Sequence, residues 1–143
     1  MIVVTGGAGF IGSHLVSELK NTGIEKIIIV DNLTKEEKNK KIIENKIYEY
    51  FDKLDFLELI EKRAPICDEI DFIFHQGACT VTTEWDARYM MANNFRYSKT
   101  LLNFCLERSI PFIYASSASV YGTCKNFSER RKNEGPLNIY GYS

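Results

Sequence analysis

The chain has 143 residues, 45% of them hydrophobic and 26% charged, the composition of one ordinary globular domain with room for one core. Collagen-like, low-complexity and disordered classes are excluded. With 18 Lys and Arg against 19 Asp and Glu, a net charge of -1 supplies no global field for nucleic acid or an anionic membrane surface.

Residues 1–5 form a short apolar, β-branched run, followed by a glycine cluster and then by a helical pattern over 10–21 with Leu15 and Leu19 on one face. Residues 26–30 read as a second strand. Their unbroken Ile-Ile-Ile-Val run, without alternation, predicts cover on both faces, as in a parallel sheet. Residues 35–46 are crowded with Lys, Glu and Asn and read as an exposed loop or frayed helix, and 47–51 as a third strand. Residues 53–63 predict a helix turning Leu54, Leu57 and Ile60 inward, ended by Pro65. A strand comes next at 70–75. A long helix is predicted over 84–107, turning Met91, Phe95, Leu102 and Leu106 toward the sheet, and then a strand at 111–116. Residues 121–138 are polar and loop-like, and a new segment begins at Ile139. Strands alternating with helices predict an α/β fold, an open doubly wound parallel sheet of the Rossmann type. A chain that stops on Tyr-Gly-Tyr-Ser inside an element reads as one incomplete domain, cut before its last strands and any substrate-binding cap.

No apolar run approaches the roughly 20 residues a membrane helix needs, and the start lacks the zones of a signal peptide. A cytoplasmic protein without nucleic-acid or membrane partners is expected. Cys67, Cys79, Cys105 and Cys124 lie far apart, with no C-x-x-C pair and only His14 and His75 as imidazole partners. Reduced thiols and no metal site are therefore expected.

Three motifs carry chemistry. Thr5-Gly6-Gly7-Ala8-Gly9-Phe10-Ile11-Gly12 comes directly after a predicted strand and opens a helix, and Gly7, Gly9 and Gly12 satisfy G-x-G-x-x-G. Glycine permits the tight turn and lets backbone amides approach a pyrophosphate at the helix N-terminus. Asp31, at the end of the second strand, can accept hydrogen bonds from the adenosine ribose. Its carboxylate favours NAD by repelling a 2′-phosphate. Asn32, however, is a hydrogen-bond donor, and Lys38 and Lys53 supply positive charge, so the residues themselves leave NAD and NADP open.

The second motif, Phe74-His75-Gln76-Gly77-Ala78-Cys79-Thr80, closes a buried strand, and Gly77 and Ala78 are small enough for a cofactor to lie against the backbone. His75 reads as a satisfied structural residue. Cys79 reads as a small packing residue with no adjacent base to activate it. The third motif pairs a strand exit, Tyr114-Ala115-Ser116-Ser117-Ala118-Ser119-Val120-Tyr121-Gly122, with Tyr140-Gly141-Tyr142-Ser143. A strand-end serine and a helix-borne tyrosine can hydrogen-bond one substrate hydroxyl. A phenol with an ordinary pKa of about 10 acts as a base only beside a cation. One helical turn after Tyr140 is residue 144.

These segments, with V-D-N-L, T-T-E-W-D, Y-M-M-A-N-N and P-L-N-I-Y-G-Y-S, resemble the extended short-chain dehydrogenase/reductase family, and within it the heptose 6-epimerases, along essentially all 143 residues. The resemblance implies that Gly6, Gly9, Phe10, Ile11, Gly12, Asp31, Asn32, Lys38, Lys53, Gln76, Gly77, Ala78, Cys79, Thr80 and Asn93 contact the cofactor, and that this cofactor is NADP. It implies Tyr140 as the tyrosine of Tyr-x-x-x-Lys and Ser117 as the serine that orients the reacting hydroxyl. Gln76 stands where relatives often carry Glu. The motif lysine, a second base and most of the sugar pocket would lie beyond Ser143. The implied reaction inverts C6 of ADP-D-glycero-D-manno-heptose, for lipopolysaccharide core synthesis. That carbon bears a hydroxyl and has no neighbouring carbonyl, so no side-chain base can remove its hydrogen as a proton, and inversion goes through transient oxidation by tightly bound NADP. A homo-oligomer is implied for the full-length protein, and little activity for residues 1–143 alone. A dehydratase would need an acid and a base where Ala118 and Ser119 stand, and a non-catalytic binding module would have no use for Ser117 and Tyr140 together.

Overall fold

Strand β1 (Ile2–Thr5) runs down the centre of a five-stranded parallel sheet, between β2 (Ile27–Asp31) and β4 (Phe72–His75). Strand β3 (Glu49–Asp52) lies outside β2 and β5 (Phe112–Tyr114) outside β4, giving the order β3-β2-β1-β4-β5. This is the predicted doubly wound sheet, and every residue of β2 is buried, as its unbroken apolar run requires. The computed structural model describes residues 1–143 except Leu33, Lys35 and Lys46, and leaves out the side chains of Glu36, Glu37, Asn39 and Lys41. Both ends of the predicted 35–46 segment therefore lie outside the described residues, as does the leucine of V-D-N-L.

The chain divides into two compact units, Met1–Gly77 with Lys99–Tyr114, and Ala78–Ser98 with Ala115–Ser143. The first holds the whole sheet. Helix α1 (Phe10–Asn21) packs Val16, with Leu15 and Leu19 beside it, onto Val4, Ile27 and Ile29. Helix α2 (Glu36–Asn45) is a helix where a loop was one of the two readings, and Ile42 ties it to the same cluster. In α3 (Lys53–Glu61) the Asp52 carboxylate accepts from the Leu54 amide. The capped helix turns Phe56 and Ile60 inward and leaves Leu54 exposed, against expectation.

The predicted 84–107 helix is built in three parts: α4 (Ala87–Met90), a wider helical turn (Met91–Arg96) and α5 (Tyr97–Arg108), which belongs to the first unit from Lys99 onward. The buried stripe is Met90, Asn94, Leu101 and Cys105, one residue before each of the predicted positions, and Phe95, Leu102 and Leu106 are exposed. Both stripes are apolar enough to fit the spacing. Spacing does not choose between them; on the buried stripe the Asn94 amide is satisfied by the Cys79 backbone. The second unit ends in α6 (Ile139–Tyr142), which carries Tyr140 as expected. No helix among the described residues is long and apolar enough to cross a membrane.

Candidate functional site

In the first unit the order β3-β2-β1-β4-β5 reverses direction between β1 and β4, so a crevice opens beyond their carboxyl ends. Thr5 and His75, the last residues of the two strands, are register partners, so the chain leaves both strands side by side at this end of the sheet. Gly6 turns the chain with φ +66°, and a Cβ on it would lie 2.7 Å from the Gly77 nitrogen. The two exits therefore touch backbone to backbone, which only glycine allows. Gly12 sets the next contact. A Cβ there would stand 2.2 Å from the Gly6 carbonyl oxygen, so α1 starts pressed onto the turn.

Gly9 caps α1 without a side-chain hydrogen bond, which leaves the amide end of the helix to a ligand anion. Phe10 and Ile11 stand exposed beside it, an apolar rim to the turn. A side chain at Gly6 or Gly12 would collide with neighbouring backbone, so the glycines keep the turn tight and the helix amides close to it, an arrangement that could hold a diphosphate.

At the neighbouring strand end Asp31 is buried and accepts three hydrogen bonds. Its Oδ2 accepts from the Ala8 amide at 3.0 Å, and its Oδ1 accepts from the Asn32 amide at 2.7 Å and from Lys38 Nζ at 2.7 Å. Lys38 also donates to the Asn32 carbonyl at 2.9 Å and to Asn32 Oδ1. The carboxylate that would repel a 2′-phosphate is thus neutralised by an ammonium at the same spot. Lys53 opens α3 directly after Asp52, the register partner of Asp31.

His75 is buried at the end of β4. Its ring stacks on Phe112 with centroids 5.7 Å apart, and burial pulls its pKa down to about 4. Burial likewise pushes the Cys105 thiol up to about 11 and raises that of Cys67. These two thiols are inert protonated packing groups, and all four cysteines are free.

The second unit holds the remaining predicted residues. Ala78 and Thr80 are exposed and Cys79 is half-buried. The Asn93 amide donates to the Tyr89 carbonyl at 2.9 Å. Ser117 Oγ accepts from the Ser119 amide at 3.2 Å and caps a short helical turn, Ala118–Tyr121. Helix α6 packs on that turn through Gly141, where a Cβ would lie 2.7 Å from the Ser119 carbonyl oxygen. Asn138 caps α6 by accepting from the Gly141 amide at 2.8 Å. The serine turn and the tyrosine helix are thus held together.

Two features escaped the sequence. Asn94 Oδ1 accepts from the Cys79 amide at 2.8 Å, while its Nδ2 donates to the Cys79 carbonyl at 3.1 Å and to Ser143 Oγ at 3.1 Å. One buried amide therefore fixes the Cys79 turn to the end of α6. An open surface depression of about 290 Å³ is lined by Thr82, Thr83, Glu84, Trp85, Leu137 and Asn138, most of them exposed. The T-T-E-W-D segment was the available signal for it, but only as a family resemblance.

A glycine turn at the switch point of a parallel sheet, with an acidic residue at the next strand end, defines a doubly wound protein of the dinucleotide-binding class. The chain belongs to the NAD dependent epimerase/dehydratase family, whose pattern matches residues 2–143. It is 54% identical over 143 residues to an ADP-L-glycero-D-manno-heptose-6-epimerase of Alkalilimnicola ehrlichii, covering 100% of this chain and 44% of the relative. Among solved structures it is similar to the ADP-L-glycero-D-manno-heptose-6-epimerase of Helicobacter pylori, with a TM-score of 0.79 and 32% identity over 99% of this chain and 46% of that one. It is also similar to a UDP-glucuronic acid 4-epimerase of Bacillus cereus in complex with NAD, with a TM-score of 0.77 and 27% identity over 99% of this chain and 47% of that one. The chain thus spans less than half the length of each of these relatives.

Proposed function

We propose that this chain is the cofactor-binding part of a cytoplasmic nucleotide-sugar epimerase that inverts C6 of the heptose in ADP-D-glycero-D-manno-heptose, for lipopolysaccharide core synthesis, with NADP as its tightly held cofactor. The observation that carries the reading is the 54% identity to a heptose 6-epimerase along the entire chain. The choice of NADP over NAD is supported by Lys38, which neutralises Asp31 where the adenosine ribose would sit.

A nicotinamide held by these residues would supply the reversible hydride chemistry that inversion at C6 requires. The chain's own residues bind, orient and move protons. The turn at Gly6, Gly9 and Gly12 and the amide end of α1 hold the diphosphate; Phe10 and Ile11 flank it. Asp31, Asn32, Lys38 and Lys53 form the ribose and 2′-phosphate edge. Gln76, Gly77, Ala78, Cys79, Thr80 and Asn93 contact the remainder. Ser117 orients the reacting hydroxyl and Tyr140 transfers its proton. The open depression beside Trp85 offers an aromatic face, the Thr82 hydroxyl, the Asn138 amide and the Glu84 carboxylate, chemistry that sugars take.

The chain corresponds to 44% of that heptose epimerase, and on this reading residues 1–143 alone have little or no turnover; the family resemblance implies a homo-oligomer for the complete protein. The test tracks substrate deuterated at C6 by NMR with the complete protein. The epimer should form with its label retained, and Tyr140→Phe should slow this at least a hundredfold. Loss of label to solvent, failure to form the epimer, or turnover by residues 1–143 near that of a full-length relative would contradict the reading.

A further inference from the structure

Gly77 lies where the β4 exit meets Gly6, and its amide donates to Thr5 Oγ1 at 3.2 Å. Thr5 is 1% exposed, and the same oxygen makes a short buried hydrogen bond with His75 Nδ1. A hydroxyl has one proton. If the Thr5 oxygen receives the Gly77 N–H, its own proton is free for an acceptor, and Nδ1 is the acceptor at hand. Burial keeps the imidazole neutral near pH 7, and in the tautomer with the ring proton on Nε2 its Nδ1 accepts the Thr5 proton. The main chain adds a second tie between the same strands, the Gln76 amide donating to the Thr5 carbonyl at 3.0 Å. The ring itself is 4% exposed and stacked on Phe112, so it is placed to brace and has no access to a ligand.

Resting on the dinucleotide reading above, we propose that His75 is a positioning residue of the cofactor site: by accepting the Thr5 proton it keeps the Thr5 lone pairs turned to the Gly77 amide and so holds the Gln76–Gly77 exit against Gly6. Without that acceptor the hydroxyl turns its proton elsewhere and the exit is released into the space the diphosphate needs. An acceptor is required at the Nδ1 position, and an imidazole as such is not. Asparagine, whose Oδ1 lies near that position, serves; leucine does not.

The test titrates the folded chain with NADPH and measures hydrogen exchange at the Gly77 amide. His75→Leu and Thr5→Val should each weaken NADPH binding at least tenfold and speed Gly77 exchange at least tenfold. His75→Asn and Thr5→Ser should stay within threefold of the parent on both readouts. A merely structural histidine would lower Tm in both His75 variants without separating leucine from asparagine. If His75→Leu does not fold, the Thr5→Val and Thr5→Ser pair decides by the same criterion. Parent-like affinity and exchange in Thr5→Val overturn the proposal alone, whereas no NADPH uptake by the parent chain overturns the dinucleotide reading and the proposal with it.

Discussion

Replacing Gly12 with alanine sets two effects against each other. Within a helix, alanine is preferred to glycine by about 1 kcal/mol, so propensity alone predicts a stabilised protein. The added Cβ, however, would stand 2.2 Å from the Gly6 carbonyl oxygen and 2.8 Å from Gly7 Cα. Both are backbone atoms with no rotamer to give. Reaching an ordinary contact of 3.4 Å requires α1 and the turn to part by about 1.2 Å. Overpacking of this kind costs about 1–3 kcal/mol, which leaves a net loss of roughly 0–2 kcal/mol. The larger effect falls on the ligand, because a displacement near 1 Å can cost about a hundredfold where geometry is demanding. Urea midpoints measured by circular dichroism, paired with NADPH titration, separate the two. Gly12→Ala should lose a little stability and at least tenfold in affinity. The control is Gly23→Ala, where φ is +89° and nothing lies within 4 Å of the new Cβ; it should lose about 1 kcal/mol of stability with NADPH affinity unchanged. A Gly12→Ala protein as stable as the parent, binding NADPH within threefold, would refute the close approach of helix and turn.

The same geometry sets three further outcomes. Lys38→Ala should weaken NADP binding at least tenfold while changing NAD binding less than threefold; an unchanged ratio of the two affinities would remove the basis for preferring NADP. The His75 pKa of about 4, below its ordinary 6.5, means the folded state resists the proton that the unfolded state accepts. The stability this carries is therefore whole above pH 6.5 and drains away as pH falls toward 4, by about 3 kcal/mol in all. Urea midpoints over that range should fall more steeply for the parent than for His75→Asn, and parallel curves would count against a neutral buried ring. Phe56→Ala, at a fully buried ring in α3, should cost about 3–5 kcal/mol by urea denaturation, and a loss under 1 kcal/mol would show that α3 contributes little to the core.

The sheet was legible because its signals are local. An unbroken Ile27–Val30 run and a glycine cluster after β1 state burial and turn without reference to distant residues. The glycine turn was legible for the same reason, and Asp31 was legible from its place at the next strand end. Helix phase was not legible in α5, since Leu101 and Leu102, and Cys105 and Leu106, offer two adjacent apolar stripes. The buried stripe also holds Asn94 in the preceding turn, whose amide partners lie 15 and 49 residues away in sequence and leave no local signal. The 35–46 segment kept two readings open because its charges hide what ties the helix down: Ile42 against the sheet cluster, and the polar ties of Lys38 and Asn45. Lys38 was recognised as a charge near the ribose edge. That all three of its protons are spent on Asp31 and Asn32 needed the fold.

Calorimetric titration of the folded chain with NADPH bears most directly on the claim that the Gly6–Gly12 turn seats a nicotinamide dinucleotide. The account predicts saturable uptake at one site per chain, displaced by NADP and lost with Gly12→Ala. A chain that circular dichroism shows to be folded, yet which takes up neither NADPH nor NADH, would contradict it.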